Sequence, residues 1–429
     1  MIDHGDLVLG VDVGTSGVRL AAVDAGEALV AMAAVPMAAA DVDGPGVRQD
    51  PEVWWRATVT AFADMATRVD LRRVRAVSVD GTSGTIVGVD AAGAPMAAAR
   101  MYNDHCRGET ARRIAAVAPP ETAAHGSTSA LGRAIELQQV PGVVRILHQA
   151  DWIAGRLSGR FDVTDENNAL KTGYDPVARC WPPWIAATGV GMAKLPQVVP
   201  AGTVTTVAVS EEGRALGLAP ATMFVAGTTD GCAAFLATGA GQAGDAVTSL
   251  GSTLVVKLMS PRPLFVPQVG LYSHRVGDSW LAGGASNAGG AALRKYFTPE
   301  RMAELEGDLD PDHPTGLDYY PLPATGERFP INDPAMEPRV TPRPADDVRF
   351  LQGLLEGIAA VEALCYRRLA ELGGPRPTSL RTVGGGARNR AWTRIRARCL
   401  ELDFVAARSE EAAVGTARLA WRGLHAGGR

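Results

Sequence analysis

Little in this chain points to a metal centre, a disulfide framework or a membrane. Its five cysteines (Cys106, Cys180, Cys232, Cys365, Cys399) are scattered, odd in number and lack metal-ligand spacing. That excludes a cysteine-built zinc module and fits a reducing compartment. No uninterrupted apolar run is long enough to span a bilayer, and the alanine-rich 31–40 segment is too short and too weakly apolar. There is no long basic run and the net charge is −4, which argues against nucleic acid as the main partner. Met1 to Asp6 carries two acids and no apolar signal core. Together these absences predict a cytoplasmic protein without membrane or nucleic-acid partners.

What is present is apolar residue in quantity, 46% of 429 positions, enough for sizeable cores and too much chain for one ordinary domain. The first half opens with apolar runs at 7–13, 18–24 and 28–33, read as three antiparallel strands. Between the first two lies Asp12-Val13-Gly14-Thr15-Ser16-Gly17. Glycines let such a turn close tightly and expose its N–H groups, and with the hydroxyls of Thr15 and Ser16 they make a nest for an anion. Asp12 at the strand end can hold Mg²⁺ directly or through water. The turn is not a P-loop, since no Gly-Lys-Ser/Thr comes after it, and not a dinucleotide fingerprint, since it leads into a strand. An ordinary hairpin turn is the competing reading.

Asp50-Pro51-Glu52 then starts a helix, with Asp50 as N-cap and Trp54, Ala57, Ala61, Phe62 and Met65 as its buried stripe. A strand is expected at 74–80 and an apolar run from Thr85 to Val89, with helical pattern from 107 to 160. The second half repeats the device: Val247 to Val256 reads strand, Gly251-Ser252-Thr253 turn, strand. This suggests duplication of one unit. A long amphipathic helix runs from about 347 to 372, then a strand at 380–383, Gly384-Gly385-Gly386, a helix opening near Asn389, a strand at 402–406 and a last helix from about 411. The Pro-, Gly- and Asp-rich 308–345 stretch reads as an ordered surface excursion.

Chemistry gathers at strand ends, where turns of two-lobed α/β folds line the crevice. The turns at 14–17 and 251–253 can hold a polyphosphate from two sides. Gly384-Gly385-Gly386 lets backbone lie flat against a purine, or merely allows a helix and strand to approach closely. Val225 to Gly231 puts Asp230 at the end of an apolar strand and the start of a small-residue helix. There it can accept the proton of an attacking hydroxyl or simply cap the helix. Asp80-Gly81-Thr82-Ser83-Gly84 and Tyr102-Asn103-Asp104 offer the short polar groups that a polyol site needs, or two ordinary turns. His105, His125, His148 and His274 lack metal spacing and read as structural or surface groups, and Lys171 as a solvated charge.

In order and spacing, these motifs resemble the FGGY carbohydrate kinases of the actin/hexokinase/Hsp70 superfamily over nearly the whole chain. Gln49 to Trp55, His148 to Trp152 and Gly415-Thr416-Ala417 belong to the same series. The resemblance implies two related actin-like (ribonuclease H-like) α/β lobes. Their mixed sheets would be flanked by helices, with the active site in the interlobe cleft. It implies an N-terminal lobe over 1–237 and a nucleotide lobe over 238–410, with a final helix at about 411–429 packing back on the first. It assigns Asp230 as catalytic base, Thr82, Ser83, Asp104 and Asp230 to the sugar, and Asp12, Gly14, Thr15 and Ser16 to the first phosphate loop. Gly251, Ser252 and Thr253 become the second phosphate loop, and Gly384, Gly385, Gly386 and Asn389 the adenosine region. Asp12 and Asp230 are its Mg²⁺-associated acids, and ATP and Mg²⁺ its cofactors.

Xylulokinases usually carry Gln-Met-His-Gly where this chain has Gly81-Thr82-Ser83-Gly84, and Trp where it has Tyr102. With Asp165 to Asp175, these positions look more like the xylulokinase-like D-ribulose kinases of plants and cyanobacteria. The expectation is therefore ATP-dependent conversion of D-ribulose to D-ribulose 5-phosphate by a monomer or homodimer. D-Xylulose and other pentuloses or polyols are the alternatives, and an ATP-binding sugar sensor without turnover is the reading from another class.

Overall fold

The computed structural model describes residues 5–427. The chain divides into two compact units: residues up to Ala237 together with those from Glu411 onward, and Thr238–Glu410. Each is a mixed α/β body around its own apolar core.

In the first unit, Leu7–Val13 pairs antiparallel with Gly17–Asp24, which pairs antiparallel with Leu29–Pro36. On its other side Leu7–Val13 pairs in parallel with Val74–Gly81, and Met223–Thr229 pairs in parallel beyond that. Short Val204–Thr206 closes that edge. Leu7 to Val13 is buried throughout, as a central strand covered on both faces must be. The helix Pro51–Ala66 covers one face. Asp50 caps it by accepting the Glu52 N–H at 3.0 Å, and Trp54, Ala61, Phe62 and Met65 are its core stripe. The last helix, Ala412–Gly427, packs on the other face against the helix Asp230–Ala237.

In the second unit, Asp245–Leu250, Leu254–Ser260, Ser279–Ser286 and Tyr272–Val276 form the antiparallel part. Ser379–Val383 joins Asp245–Leu250 in parallel, with Asp403–Phe404 at the edge. The connection pattern is that of the first unit, so the duplicated device is a duplicated sheet topology. The helix Asp347–Glu371 buries Phe350, Leu354, Ile358, Cys365 and Leu369.

Two expectations change. Within 107–160 the segment Arg145–His148 is a strand, in register with Ile86–Val89. Four residues are too few to show a period against flanking helices. The 308–345 stretch is no surface excursion throughout: Tyr319, Tyr320, Leu322 and Phe329 are buried in the second core. Irregular chain rich in Pro and Gly still buries aromatic side chains when their polar atoms find partners, as Tyr320 does by donating to Glu327 at 2.9 Å.

His148 caps the helix Gln149–Ser158, its N–H donating to Asp151 at 3.0 Å. It is a buried structural group at the end of the strand Arg145–His148, one of the two readings the sequence gives its histidines. Nearby, Asp165 is buried and accepts the N–H groups of Asn167 (2.8 Å) and Asn168 (3.0 Å). Burial, reinforced by the charge of Asp151, pushes the Asp165 carboxyl up to about 7. A carboxyl whose folded value lies above its unfolded one binds its proton more tightly when folded. Its contribution to stability is therefore full at low pH and falls as pH rises from 3.8 to about 7. Asp165→Asn is expected to flatten the fall in unfolding free energy across that window, read from denaturant melts at several pH values. A pH profile parallel to that of the parent would refute the assignment.

The last helix lies so close to the first sheet that a Cβ on Gly10 would sit 1.9 Å from the Ala413 carbonyl. One on Gly415 would sit 1.9 Å from the Ala233 carbonyl. Gly10→Ala and Gly415→Ala should each cost roughly 1–3 kcal/mol or more, visible as a lower thermal midpoint by circular dichroism. An unchanged midpoint in both would mean that the helix shifts without loss.

Candidate active site

The first unit gathers acids at the ends of its three parallel strands. Asp12 and Asp80 are register partners on adjacent strands, and Thr228 is the register partner of Asp80 on the next, two residues before Asp230. Asp12 and Asp80 are both buried. Thr416 of the last helix donates its hydroxyl to one Asp80 oxygen. The other Asp80 oxygen is buried with no donor among the described residues. Burial, then the charge of Asp12, holds the Asp80 carboxyl well above the usual carboxylate range. Burial and the neighbouring Asp12 charge thus both favour the protonated form of Asp80. Asp12 is pushed up to about 6 by burial. The hydrogen bond from Asp80 and the Arg19 guanidinium at 3.5 Å work the other way, and Asp230 adds to the rise. Asp12 is therefore ionised at neutral pH.

Asp230 is the first residue of the helix Asp230–Ala237 and accepts the N–H of its neighbour Gly231 at 2.6 Å, at the junction of strand and helix. In the turn above Asp12, Thr15 and Ser16 are exposed, whereas the Gly14 N–H is taken by the Gly17 carbonyl at 3.0 Å. The donors left to an anion are those of Thr15 and Ser16, and Gly14 serves the turn itself.

The polyol-like segments separate. Thr82 is buried: its N–H and hydroxyl both face Gln149 Oε1, at 2.9 and 2.8 Å, and its hydroxyl meets Thr85 at 2.6 Å. Asp104 is buried, accepting the Val47 N–H at 2.9 Å and pairing with Arg100. Both side chains are thus satisfied inside the fold, Asp104 by the arginine four residues before it and Thr82 by the glutamine opposite. Ser83 differs, with a buried hydroxyl that has no partner among the described residues.

Lys171 corrects a further expectation. It is not a solvated charge: its ammonium donates to the Ser83 carbonyl at 3.3 Å. Burial lowers its pKa, and the charge of Asp230 opposes that fall. Only the tertiary fold brings 171 to 83, so no local spacing could reveal it.

The second unit holds a cavity of about 440 Å³. Its wall is apolar (Leu293, Met302, Leu351, Leu355, Trp392), and Gly251, Ser252, Gly385, Gly386 and Asn389 line it as well. Thr253 and Gly384 are not on its lining. The Gly384 N–H donates instead to Glu410 at 3.0 Å. Asn389 caps the helix Arg390–Leu400 through the Trp392 N–H at 2.6 Å. Arg294, which no sequence motif marks, donates to the Ser252 hydroxyl at 2.8 Å and lines the cavity with it. An apolar slab beside glycine turns and one guanidinium suits a nucleoside with phosphates. Beneath it Arg396 and Glu362, both fully buried, pair at 2.6 Å. Glu362 also accepts the Thr248 hydroxyl, and Arg396 donates to Thr382 at 2.9 Å. One ion pair therefore ties the two strands that lead into the glycine turns.

Among the described residues no group of three or more His, Cys, Asp or Glu side chains is spaced to hold a metal ion. No helix among them is long and apolar enough to cross a membrane.

Comparison with known proteins agrees with this geometry. Residues 7–124 match the N-terminal domain of the FGGY family of carbohydrate kinases, and residues 246–424 match its C-terminal domain. The xylulose kinase of Escherichia coli (strain K12) is 25% identical over 96% of this chain and 89% of its own length. The erythritol kinase of Brucella abortus is 25% identical over 98% and 88%. The crystal structure of a xyloylose kinase from Brucella ovis superposes with a TM-score of 0.86 at 23% identity, covering 98% of this chain and 91% of that one. With both family domains matched and the two-lobed actin-like fold present, the chain belongs to the FGGY family of carbohydrate kinases.

Proposed function

We propose that this sugar kinase transfers the γ-phosphoryl group of ATP to the terminal hydroxyl of a ketopentose, D-ribulose first among them, with Asp230 as general base. The observation that carries the reading is the placement of Asp230. It sits at the end of a buried parallel strand beside ionised Asp12, with the Lys171 ammonium close enough for its charge to matter. Asp230 accepts the hydroxyl proton as oxygen attacks phosphorus. A positioned base of this kind is worth about 10²–10⁴-fold in rate. Ser83, whose hydroxyl lacks a partner among the described residues, and Lys171 contact the acceptor. Arg294, Gly251 and Ser252 take the nucleotide phosphates, and the apolar cavity takes the base.

Carboxylate oxygens are the right donors for Mg²⁺, and fewer than three protein ligands suffice where water and phosphate complete the shell. Asp12 and Asp230 would hold it through water, and the ion, when bound, neutralises phosphate charge.

D-Xylulose is the second reading, favoured by the kind of relative that matches over the whole chain. D-Ribulose is favoured by Gly81-Thr82-Ser83-Gly84 and Tyr102, which depart from the usual xylulokinase residues. The turn at 81–84 meets Lys171 and Gln149, and on this reading the acceptor lies there.

ADP release with Mg·ATP across D-ribulose, D-xylulose, L-ribulose, erythritol and glycerol decides between the two. D-Ribulose is expected to give the highest kcat/KM, and a higher value for D-xylulose would move the assignment to that sugar. ATP binding without turnover of any acceptor would favour the sensor reading. In the same assay Asp230→Ala should lose about 10²–10⁴-fold in kcat, and full retention would refute the base assignment. Lys171→Met should lower kcat/KM for the sugar about tenfold or more, the scale of one charge-assisted hydrogen bond, while KM for ATP stays unchanged. An effect on ATP alone would remove Lys171 from the acceptor end.

A further inference from the structure

The strand that delivers Asp230 is irregular just before it does so. Val225 is the register partner of Ser78, but Thr228 is the partner of Asp80, so three steps on one strand match two on the other. The extra residue makes a bulge, which unpairs the ladder locally and re-aims the residues beyond it. Gly227 sits in it, pressed so close that a Cβ would lie 1.7 Å from the Val79 carbonyl. A strand end loosened in this way needs support from elsewhere if Asp230 is to have one position.

That support comes from the short helix Glu166–Ala169. Asn167 Nδ2 donates to the Thr228 hydroxyl at 2.9 Å. Asn168 Nδ2 donates to the Thr228 carbonyl at 3.2 Å. The same Asn168 amide donates to Asp165 Oδ2 at 2.6 Å, and Asp165 Oδ1 holds the two asparagine N–H groups. Asp165, Asn167, Asn168 and Thr228 are all at most 2% exposed. Hydrogen bonds at such depth are costly to leave unmade, so the array fixes its members firmly.

We infer that Asn167 and Asn168 are positioning residues for the phosphoryl transfer, clamping Thr228 after the bulge so that the carboxylate of Asp230 is aimed at the acceptor hydroxyl. The inference rests on the reading of Asp230 as the base. The two asparagines act through two residues of backbone, not by contact with sugar or nucleotide. A misplacement of the base by about an ångström costs on the order of 10²-fold.

The test is a kinetic cycle in the full chain. Asn168→Ala and, as a shape-conserving partner that removes only the Asn167 contact, Thr228→Val are each measured alone and on the Asp230→Ala background. Thermal midpoints and ATP affinity are read alongside. The expected result is a loss of about 10- to 100-fold in kcat for the single variants, with KM for ATP unchanged. On the Asp230→Ala background the same changes should cost nothing further, because the group being aimed is gone. If Asn168→Ala does not fold, Thr228→Val carries the cycle. Retention of kcat within twofold by both variants overturns the inference. An equal loss on the Asp230→Ala background overturns it too, since that is what general loosening would produce. Full turnover by Asp230→Ala itself overturns the base assignment and this inference with it. Loss in Asp230→Ala with full turnover in the other two overturns the inference alone.

Discussion

Everything at the acidic end of the first unit depends on backbone approaching backbone with no side chain between. Gly227 lies against the Val79 carbonyl, Gly10 against Ala413, and Gly415 against Ala233. These contacts join the strands of Asp12 and Asp80 to the helix that starts at Asp230 and to the helix that carries Thr416. A methyl group at any of them would move an element by more than a hydrogen bond tolerates. The small residues so common in this chain are therefore used where elements must touch.

Close approach brings carboxylates together, and that creates an electrostatic cost that the surroundings answer in three ways. Thr416 donates to Asp80, Arg19 stands beside Asp12, and burial biases Asp80 toward its protonated form. The last is the least expected. A buried acid pushed toward its neutral form repels the neighbouring carboxylate less. The second unit solves a related problem differently. The two strands that lead into its glycine turns are fastened by one fully buried Arg396–Glu362 pair with hydroxyls on both sides. Such a pair adds little net stability but fixes geometry, and removing either partner would leave an uncompensated charge.

The two units share a sheet topology and use it for different ends. In the first, strand ends present acids and a hydroxyl-bearing turn. In the second, the equivalent turns border an apolar cavity with one guanidinium. The shared strand order supplies the scaffold, and the residues at the turns set what each unit presents.

The range of each interaction decides how much of it is legible in the sequence. Glycine turns between apolar runs, the Asp50 and Asn389 caps and the strand-end placement of Asp12 and Asp230 are local, set by a few neighbouring φ/ψ values and periodicities. The sequence by itself determined those, along with the family they spell out. Thr82 and Asp104 had the right residue types for a sugar site and still turn inward. Their partners are Gln149, far along the chain, and Arg100, which no local pattern marks as buried. Lys171 beside Ser83, the raised carboxyl of Asp80, and the Asn167–Asn168 contacts with Thr228 were decided by tertiary structure alone. Each depends on segments tens to hundreds of residues apart meeting at hydrogen-bond distance, and on burial that changes the charge of the groups that meet.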